Sequence, residues 1–119
     1  MTSPLILVVE DEALVRMHAV TVLEDAGFST REAANGEEAI ALLEARSDIR
    51  IVFTDIQLGG GMDGLALARA IPERWPPVEL VLASGRMRVE SDCMPDRGVF
   101  LSKPYQAGQL IQCVRSLGG

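Results

Sequence analysis

Cysteine is scarce in this chain of 119 residues, in which only Cys93 and Cys113 carry thiols. Their wide separation does not match the close spacing of metal-binding cysteines. Two isolated cysteines are also far too few for the dense disulfide framework of small secreted domains. We therefore expect both residues to be reduced thiols in a cytoplasmic protein.

The sequence also lacks an excess of positive charge. It has 11 Lys and Arg residues against 17 Asp and Glu residues, which gives a net charge of −6. A surface that binds nucleic acid needs a basic stripe to neutralise phosphates. We therefore expect no nucleic-acid partner.

Long apolar runs are absent as well. No run approaches the roughly 20 residues that cross a bilayer, and the amino terminus has neither the basic region nor the apolar stretch of a signal peptide. We therefore expect no membrane association.

The composition, 48% hydrophobic and 24% charged, is typical of a globular protein. The length suits one domain over residues 1–119.

Two apolar runs end abruptly on carboxylates. Residues 5–9 stop at Glu10 and Asp11, and residues 51–54 stop at Asp55. Continuous apolar runs of this length are typical of strands that are covered on both faces of a parallel sheet. Further strands are predicted at 28–33, 78–83 and 99–102, and helices at 13–26, 37–46, around 67–71 and at 107–117.

This alternation predicts an α/β fold: a doubly wound, five-stranded parallel sheet with right-handed crossovers and helices on both faces. Pro72 should kink or end the third helix, because its ring clashes with a carbonyl of the preceding turn. Another helix belongs between the last two strands, in segment 86–97. That segment contains Pro95 and has almost no apolar periodicity, so we expect the fourth helix to be short or irregular.

Polar residues follow four of the five strands: Glu10 with Asp11, Asp55, Ser84 and Lys103. Ligands of open α/β sheets bind beyond the carboxyl ends of the strands, where these side chains should gather. Crowded carboxylates repel each other, and Mg²⁺ relieves the repulsion with its preference for oxygen ligands. Lys103 offers a positive charge and Ser84 a hydroxyl to phosphoryl oxygens. A lone aspartate at a strand end is often only a helix cap, but this combination offers the parts that phosphoryl transfer needs: a metal, a cation, a donor and an oxygen nucleophile.

The same motifs stand in the order, and roughly the spacing, of a known family. They are Val8-Val9-Glu10-Asp11-Glu12, Thr54-Asp55, Met62-Asp63-Gly64, Ala83-Ser84-Gly85 and Phe100-Leu101-Ser102-Lys103-Pro104-Tyr105. Over essentially its whole length the chain resembles the receiver domain of two-component response regulators, of the single-domain CheY-like type. The resemblance implies a flavodoxin-like fold with strand order 2-1-3-4-5.

The resemblance also implies which residues carry the chemistry. Asp55 is similar to the phosphoacceptor of the family, and Glu10 and Asp11 are similar to its acidic metal-binding pair. Mg²⁺ would also be bound by Asp55 and by the backbone carbonyl of Gln57. Lys103 is similar to the lysine that contacts the phosphoryl group.

Two further residues resemble the parts that convert phosphorylation into a signal. Ser84 is similar to the switch hydroxyl of the family. Phe100, three residues before Lys103, is similar to the rotating switch aromatic residue. The implied function is a phosphoacceptor that takes a phosphoryl group from a sensor histidine kinase or a histidine phosphotransfer protein.

The sequence departs from the family pattern at three places. Gly59 stands where the loop after Asp55 usually has a proline, and that loop is one residue longer than usual. Glu10 replaces the more common aspartate and is one methylene longer. Segment 86–97 lacks the helical pattern that the family uses for partner contacts.

We therefore expect a switch and not a turnover enzyme, acting as a monomer or weak dimer. We expect no output domain after Gly119, so the effect of the protein should come from binding a partner or from passing the phosphoryl group onward. One alternative is a degenerate receiver that only binds proteins, against which the intact Asp55 and Lys103 argue. Another is an aspartyl phosphatase, but Gln57 stands where such an enzyme needs a general acid.

Overall fold

The computed structural model describes residues 5–55, 64–84, 98–102 and 106–118 of the chain. Nine elements occur in these ranges. The strands are β1 (Leu5–Val9), β2 (Ser29–Ala33), β3 (Ile49–Asp55), β4 (Glu79–Ser84) and β5 (Gly98–Ser102), and the helices are α1 (Ala13–Asp25), α2 (Gly36–Ala45), α3 (Gly64–Arg74) and α4 (Ala107–Gly118). Strands and helices alternate as predicted, and the expected irregular helix at 86–97 lies outside the described residues.

All described strands pair in parallel, in the order β2-β1-β3-β4-β5. The order 2-1-3-4 of the first four strands confirms the prediction, and β5 pairs with β4 at the far edge. β3 therefore lies at the centre of the sheet. Every residue of β1 is buried, as are Ile51–Thr54 of β3, which explains why both strands are almost continuously apolar.

The two faces of the sheet carry separate hydrophobic clusters. On one face Leu7, Val9 and Val52 pack with residues of α2 and α3, among them Leu43 and Leu67. On the other face the alternate residues of the same strands pack with α1 and α4; this cluster includes Ile6, Val8, Ile51, Phe53, Leu23 and Leu110. The period of two in a strand thus sends successive side chains into opposite layers, and the fold is doubly wound.

Several element boundaries differ from the predicted ones, most of them by a single residue, and two of the larger differences have a structural reason. β3 begins at Ile49, two residues early, and the pairing with β1 shifts register there: Leu5 pairs with Ile49 but Ile6 pairs with Ile51. The skipped residue, Arg50, is exposed, so this start of the strand has no apolar run. The helix α3 continues two residues past Pro72, because the next turn is closed by a 2.7 Å hydrogen bond from Trp75 N–H to the Ile71 carbonyl.

Local signals set the ends of the first two helices. Gly27 follows α1 with a φ of 97°, a left-handed conformation that glycine adopts without strain. At the start of α2, Asn35 Oδ1 accepts a 2.8 Å hydrogen bond from Glu38 N–H, and Glu38 Oε1 accepts one from Ala34 N–H. This reciprocal arrangement satisfies one backbone donor of the first helical turn, Glu38 N–H, and one that precedes the helix, Ala34 N–H.

None of the helices in the described ranges is both long and apolar enough to cross a membrane.

Helix α1 offers a matched test of this packing, because Leu23 is fully buried whereas Leu14 is 80% exposed. Leu23→Ala should lower the free energy of unfolding by about 2–5 kcal/mol, since it removes buried methyl groups and leaves a cavity. Leu14→Ala should change it by less than about 0.5 kcal/mol. Urea unfolding followed by circular dichroism measures both values. Equal losses for the two variants would contradict the described orientation of α1.

Candidate functional site

The strand register brings the predicted site residues to one edge of the sheet. Val9 of β1 pairs with Thr54 of β3, so the chain leaves the two strands at the same level, at Glu10 and Asp55. Asp55 in turn pairs with Ala83 of β4. Ser84, the next residue, is the last of its strand. The backbone positions of Glu10, Asp55 and Ser84 thus follow one another across the three central strands.

Glu10 is buried, with only 7% of its surface exposed. A buried carboxylate must be compensated by donors or charges. Its Oε1 accepts a hydrogen bond of 3.2 Å from Glu12 N–H. The backbone of Glu10 is also held on both sides: its N–H donates to the Ala33 carbonyl at 3.0 Å, and its carbonyl accepts from Arg16 Nη1 at 2.7 Å. The backbone of Glu10 is therefore held in place by hydrogen bonds at both its N–H and its carbonyl.

Asp55 is half-buried at the end of the central strand. Before it, the fully buried Thr54 donates a hydrogen bond of 3.0 Å from its hydroxyl to the Asp55 carbonyl. Asp55 and Glu10 line the same small crevice, whose walls are otherwise apolar: Val8, Val9, Val15, Ala19, Phe53 and Ala83. Glu10 and Asp55 therefore border one small crevice at the carboxyl ends of β1 and β3. Asp11, the next residue after Glu10, is exposed.

These carboxylates provide the hard oxygen donors that Mg²⁺ prefers, and the shared crevice of Glu10 and Asp55 fits that chemistry. Among the side chains that the structure describes, no three or more His, Cys, Asp or Glu residues form a ready metal-binding group. The carboxylates of the described residues therefore do not by themselves form a complete metal site. The carbonyl of Gln57, the other predicted ligand, lies outside the described residues.

The remaining predicted residues are described only in part. Ser84 and Phe100 lie in β4 and β5, where Phe100 pairs with Leu82 and Ser84 with Ser102. The side chains of Ser84 and Phe100 are outside the described part of the chain, and so is Lys103. Their predicted roles stay predictions.

Arg16 was missed by the reasoning from sequence. It lies in the first turns of α1, its guanidinium contacts the Glu10 carbonyl, and its Nε lies 3.1 Å from Glu32 Oε1 on β2. One signal was available in the sequence. Arg16 places a positive charge near the N-terminus of α1, where the helix macrodipole favours negative charge, and the first turn has no acidic residue. The contact with Glu32, however, depends on how β2 pairs with β1.

A second cleft lies at the opposite edge of the sheet, near the amino ends of the strands. Its lining includes Arg31, Arg46, Asp48 and Arg50. Arg46 donates two hydrogen bonds to Asp48, of 3.0 and 2.8 Å. These bonds hold the pKa of the Asp48 carboxyl below its usual value. Of the predicted site residues whose side chains the structure describes, Glu10, Asp11 and Asp55, none lines this cleft.

Comparison with known proteins agrees with this geometry. A family model described as "Response regulator receiver domain" matches residues 6–115. The chain belongs to this family. The predicted family membership is thereby confirmed, and with it a phosphoacceptor role in two-component signalling.

Several individual proteins are similar to this receiver domain. The nitrogen assimilation regulatory protein NtrX of Azorhizobium caulinodans is 36% identical over 110 residues, which cover 89% of this chain and 24% of that protein. The sensor kinase CckA of Brucella abortus is 31% identical over 97% of this chain and 12% of that protein. The chain therefore spans a small part of these curated relatives.

Solved structures show the same fold at full length. A response regulator receiver protein from Sinorhizobium medicae superposes with a TM-score of 0.89 at 32% identity, over 97% of this chain and 94% of that one. The receiver domain of NtrX from Brucella abortus superposes with a TM-score of 0.85 at 36% identity, over 94% and 96% of the two chains.

Proposed function

We propose that Asp55 is the phosphoacceptor of this receiver domain. The observation that carries the proposal is the position of Asp55: it ends the central strand and shares a crevice with the buried Glu10. The donor would be a phosphohistidine of a sensor histidine kinase or of a histidine phosphotransfer protein. A carboxylate oxygen of Asp55 attacks phosphorus, the P–N bond breaks, and its electron pair remains on the histidine nitrogen.

Mg²⁺ is the proposed cofactor, and it would neutralise charge on the phosphoryl oxygens. Glu10, Asp11 and Asp55 would hold it with the backbone carbonyl of Gln57. Glu10 is one methylene longer than aspartate, and its backbone is tied at both its N–H and its carbonyl. The longer side chain of Glu10 would therefore extend toward the metal from a backbone that is held in place.

Three residues would act on the phosphoryl group after transfer. Lys103 would supply the countercharge, and Ser84 would donate a hydrogen bond to a phosphoryl oxygen. Phe100 would turn into the space that Ser84 vacates. Such repacking is a population shift between two arrangements of one fold, so the protein acts as a cytoplasmic switch, as a monomer or weak dimer, and not as a turnover enzyme.

The first test is incubation with acetyl phosphate and Mg²⁺ followed by intact mass measurement. We expect the addition of one phosphoryl group to the unsubstituted protein and none to Asp55→Asn. Asp48→Asn is the matched control, since Asp48 is an exposed aspartate at the opposite edge of the sheet, and it should label normally. Equal labelling of Asp55→Asn would place the nucleophile elsewhere. Absence of labelling in all three proteins would favour a module that only binds partners.

The second test concerns the metal. A ligand that binds only the native state stabilises it, and Mg²⁺ should do so here because it relieves repulsion among Glu10, Asp11 and Asp55. Millimolar Mg²⁺ should raise the melting temperature measured by circular dichroism. Asp11→Asn should raise the metal-free melting temperature and reduce the Mg²⁺ effect. A melting temperature that does not respond to Mg²⁺ would contradict the proposed site.

The third test follows the signal by hydrogen exchange with and without beryllofluoride, a phosphoryl mimic. We expect the largest changes in residues 86–105, because this range contains Phe100 and because segment 86–97 has no apolar stripe in its sequence. Ser84→Ala should still accept a phosphoryl group but should lose the change at Phe100. Changes confined to residues 56–63 would mean that the signal leaves by another face.

A further inference from the structure

The guanidinium of Arg16 joins two elements that meet beside the candidate site. Nη1 donates a 2.7 Å hydrogen bond to the Glu10 carbonyl, and Nε donates one of 3.1 Å to Glu32 Oε1. The Arg16 side chain is only 20% exposed, whereas that of Glu32 is 51% exposed. The planar fork of arginine can make two directed contacts at once, which the single ammonium of lysine does poorly.

These contacts hold Glu10, the first residue of the turn Glu10-Asp11-Glu12, against β2. Glu10 N–H donates to the Ala33 carbonyl at the end of β2, and the Glu10 carbonyl is reached by Arg16, which Glu32 of the same strand orients. Both backbone polar groups of Glu10 are thus tied, directly or through Arg16, to β2. Because the backbone of Glu10 is held in place, its side-chain carboxylate can occupy fewer positions.

The start of α1 lacks the side-chain hydrogen bond that usually caps a helix N-terminus. Glu12 occupies the N-cap position of α1, and its side chain makes no capping hydrogen bond. Serine, threonine, asparagine or aspartate normally supplies that bond and thereby fixes the turn before a helix. In this chain the turn is held by the Glu12 N–H bond to Glu10 Oε1 and by Arg16.

We propose that Arg16, oriented by Glu32, is a positioning residue that places Glu10 and Asp11 for binding a divalent cation. This inference rests on the proposed function, since it assigns a role toward the same metal site. Partners that orient metal ligands typically change metal affinity by about 10–100-fold when removed. Arg16 would act in this way through the backbone of Glu10.

The positive charge of Arg16 and its proposed positioning role predict opposite effects on Mg²⁺ affinity, which makes the proposal testable. Arg16 is a cation close to an acidic edge, so its charge alone opposes the binding of another cation. If charge were its only influence, Arg16→Met would tighten Mg²⁺ binding, and Arg16→Lys would leave it unchanged. If Arg16 positions Glu10, both substitutions weaken Mg²⁺ binding, although lysine keeps the charge.

The experiment is isothermal titration of the full chain with Mg²⁺, together with the metal-free melting temperature. We expect Arg16→Lys and Arg16→Met to raise the Mg²⁺ dissociation constant about 10-fold. Glu32→Gln should raise it less, because the bond from Arg16 to Glu10 remains. The double variant Arg16→Met/Glu32→Gln should bind Mg²⁺ no more weakly than Arg16→Met, since residues that act through one contact are not additive.

Arg46→Met is the matched control, because Arg46 also pairs with a carboxylate, Asp48, but lies at the opposite edge of the sheet. It should leave Mg²⁺ affinity unchanged. Unchanged affinity in Arg16→Lys, or tighter binding in Arg16→Met, would overturn the proposal. So would a lowered metal-free melting temperature with unchanged affinity, which marks a purely structural role. Failure of the unsubstituted protein both to bind Mg²⁺ and to label with acetyl phosphate would instead overturn the proposed function.

Discussion

The parallel pairing of β1 with β3, covered on both faces, is the constraint on which the rest of the structure depends. A strand buried on two sides excludes charge along its length, because an uncompensated buried charge is costly. Carboxylates can therefore appear only where the strands leave their cover. Since Val9 pairs with Thr54, both strands end at the same level, and Glu10 and Asp55 line one crevice.

The same geometry separates charge between the two edges of the sheet. In a parallel α/β fold the helix N-termini lie near the carboxyl ends of the strands, where the macrodipole favours anions, and the helix C-termini lie near the amino ends. Glu10 and Asp55 lie at the first edge, and Arg31, Arg46 and Arg50 line the cleft at the second together with Glu24 and Asp48. Arg16 is a cation that the structure places close to the candidate metal site, and Lys103 is predicted to lie at the same edge.

Much of the fold could be predicted because buried parallel strands leave a simple pattern. The apolar runs at 5–9 and 51–54, the helical spacing of the α1 residues and Gly27 each reflect a local requirement that one sequence displays directly. The start of β3 at Ile49 was missed, because the register shift beside Arg50 depends on the pairing with β1. Pro72 was expected to kink or end α3, and the helix continues to Arg74 with a local hydrogen bond from Trp75 N–H to the Ile71 carbonyl.

The sequence by itself determined the candidate carboxylates and the family, since strand length and the residue that ends each strand are local properties. Only the tertiary structure decided that Glu10 and Asp55 share a crevice and that Asp11 faces solvent. It also decided that Arg16 contacts both Glu10 and Glu32. Those facts depend on which strands are neighbours and in what register. Register is set by the packing of both sheet faces at once, and no single stretch of sequence contains that information.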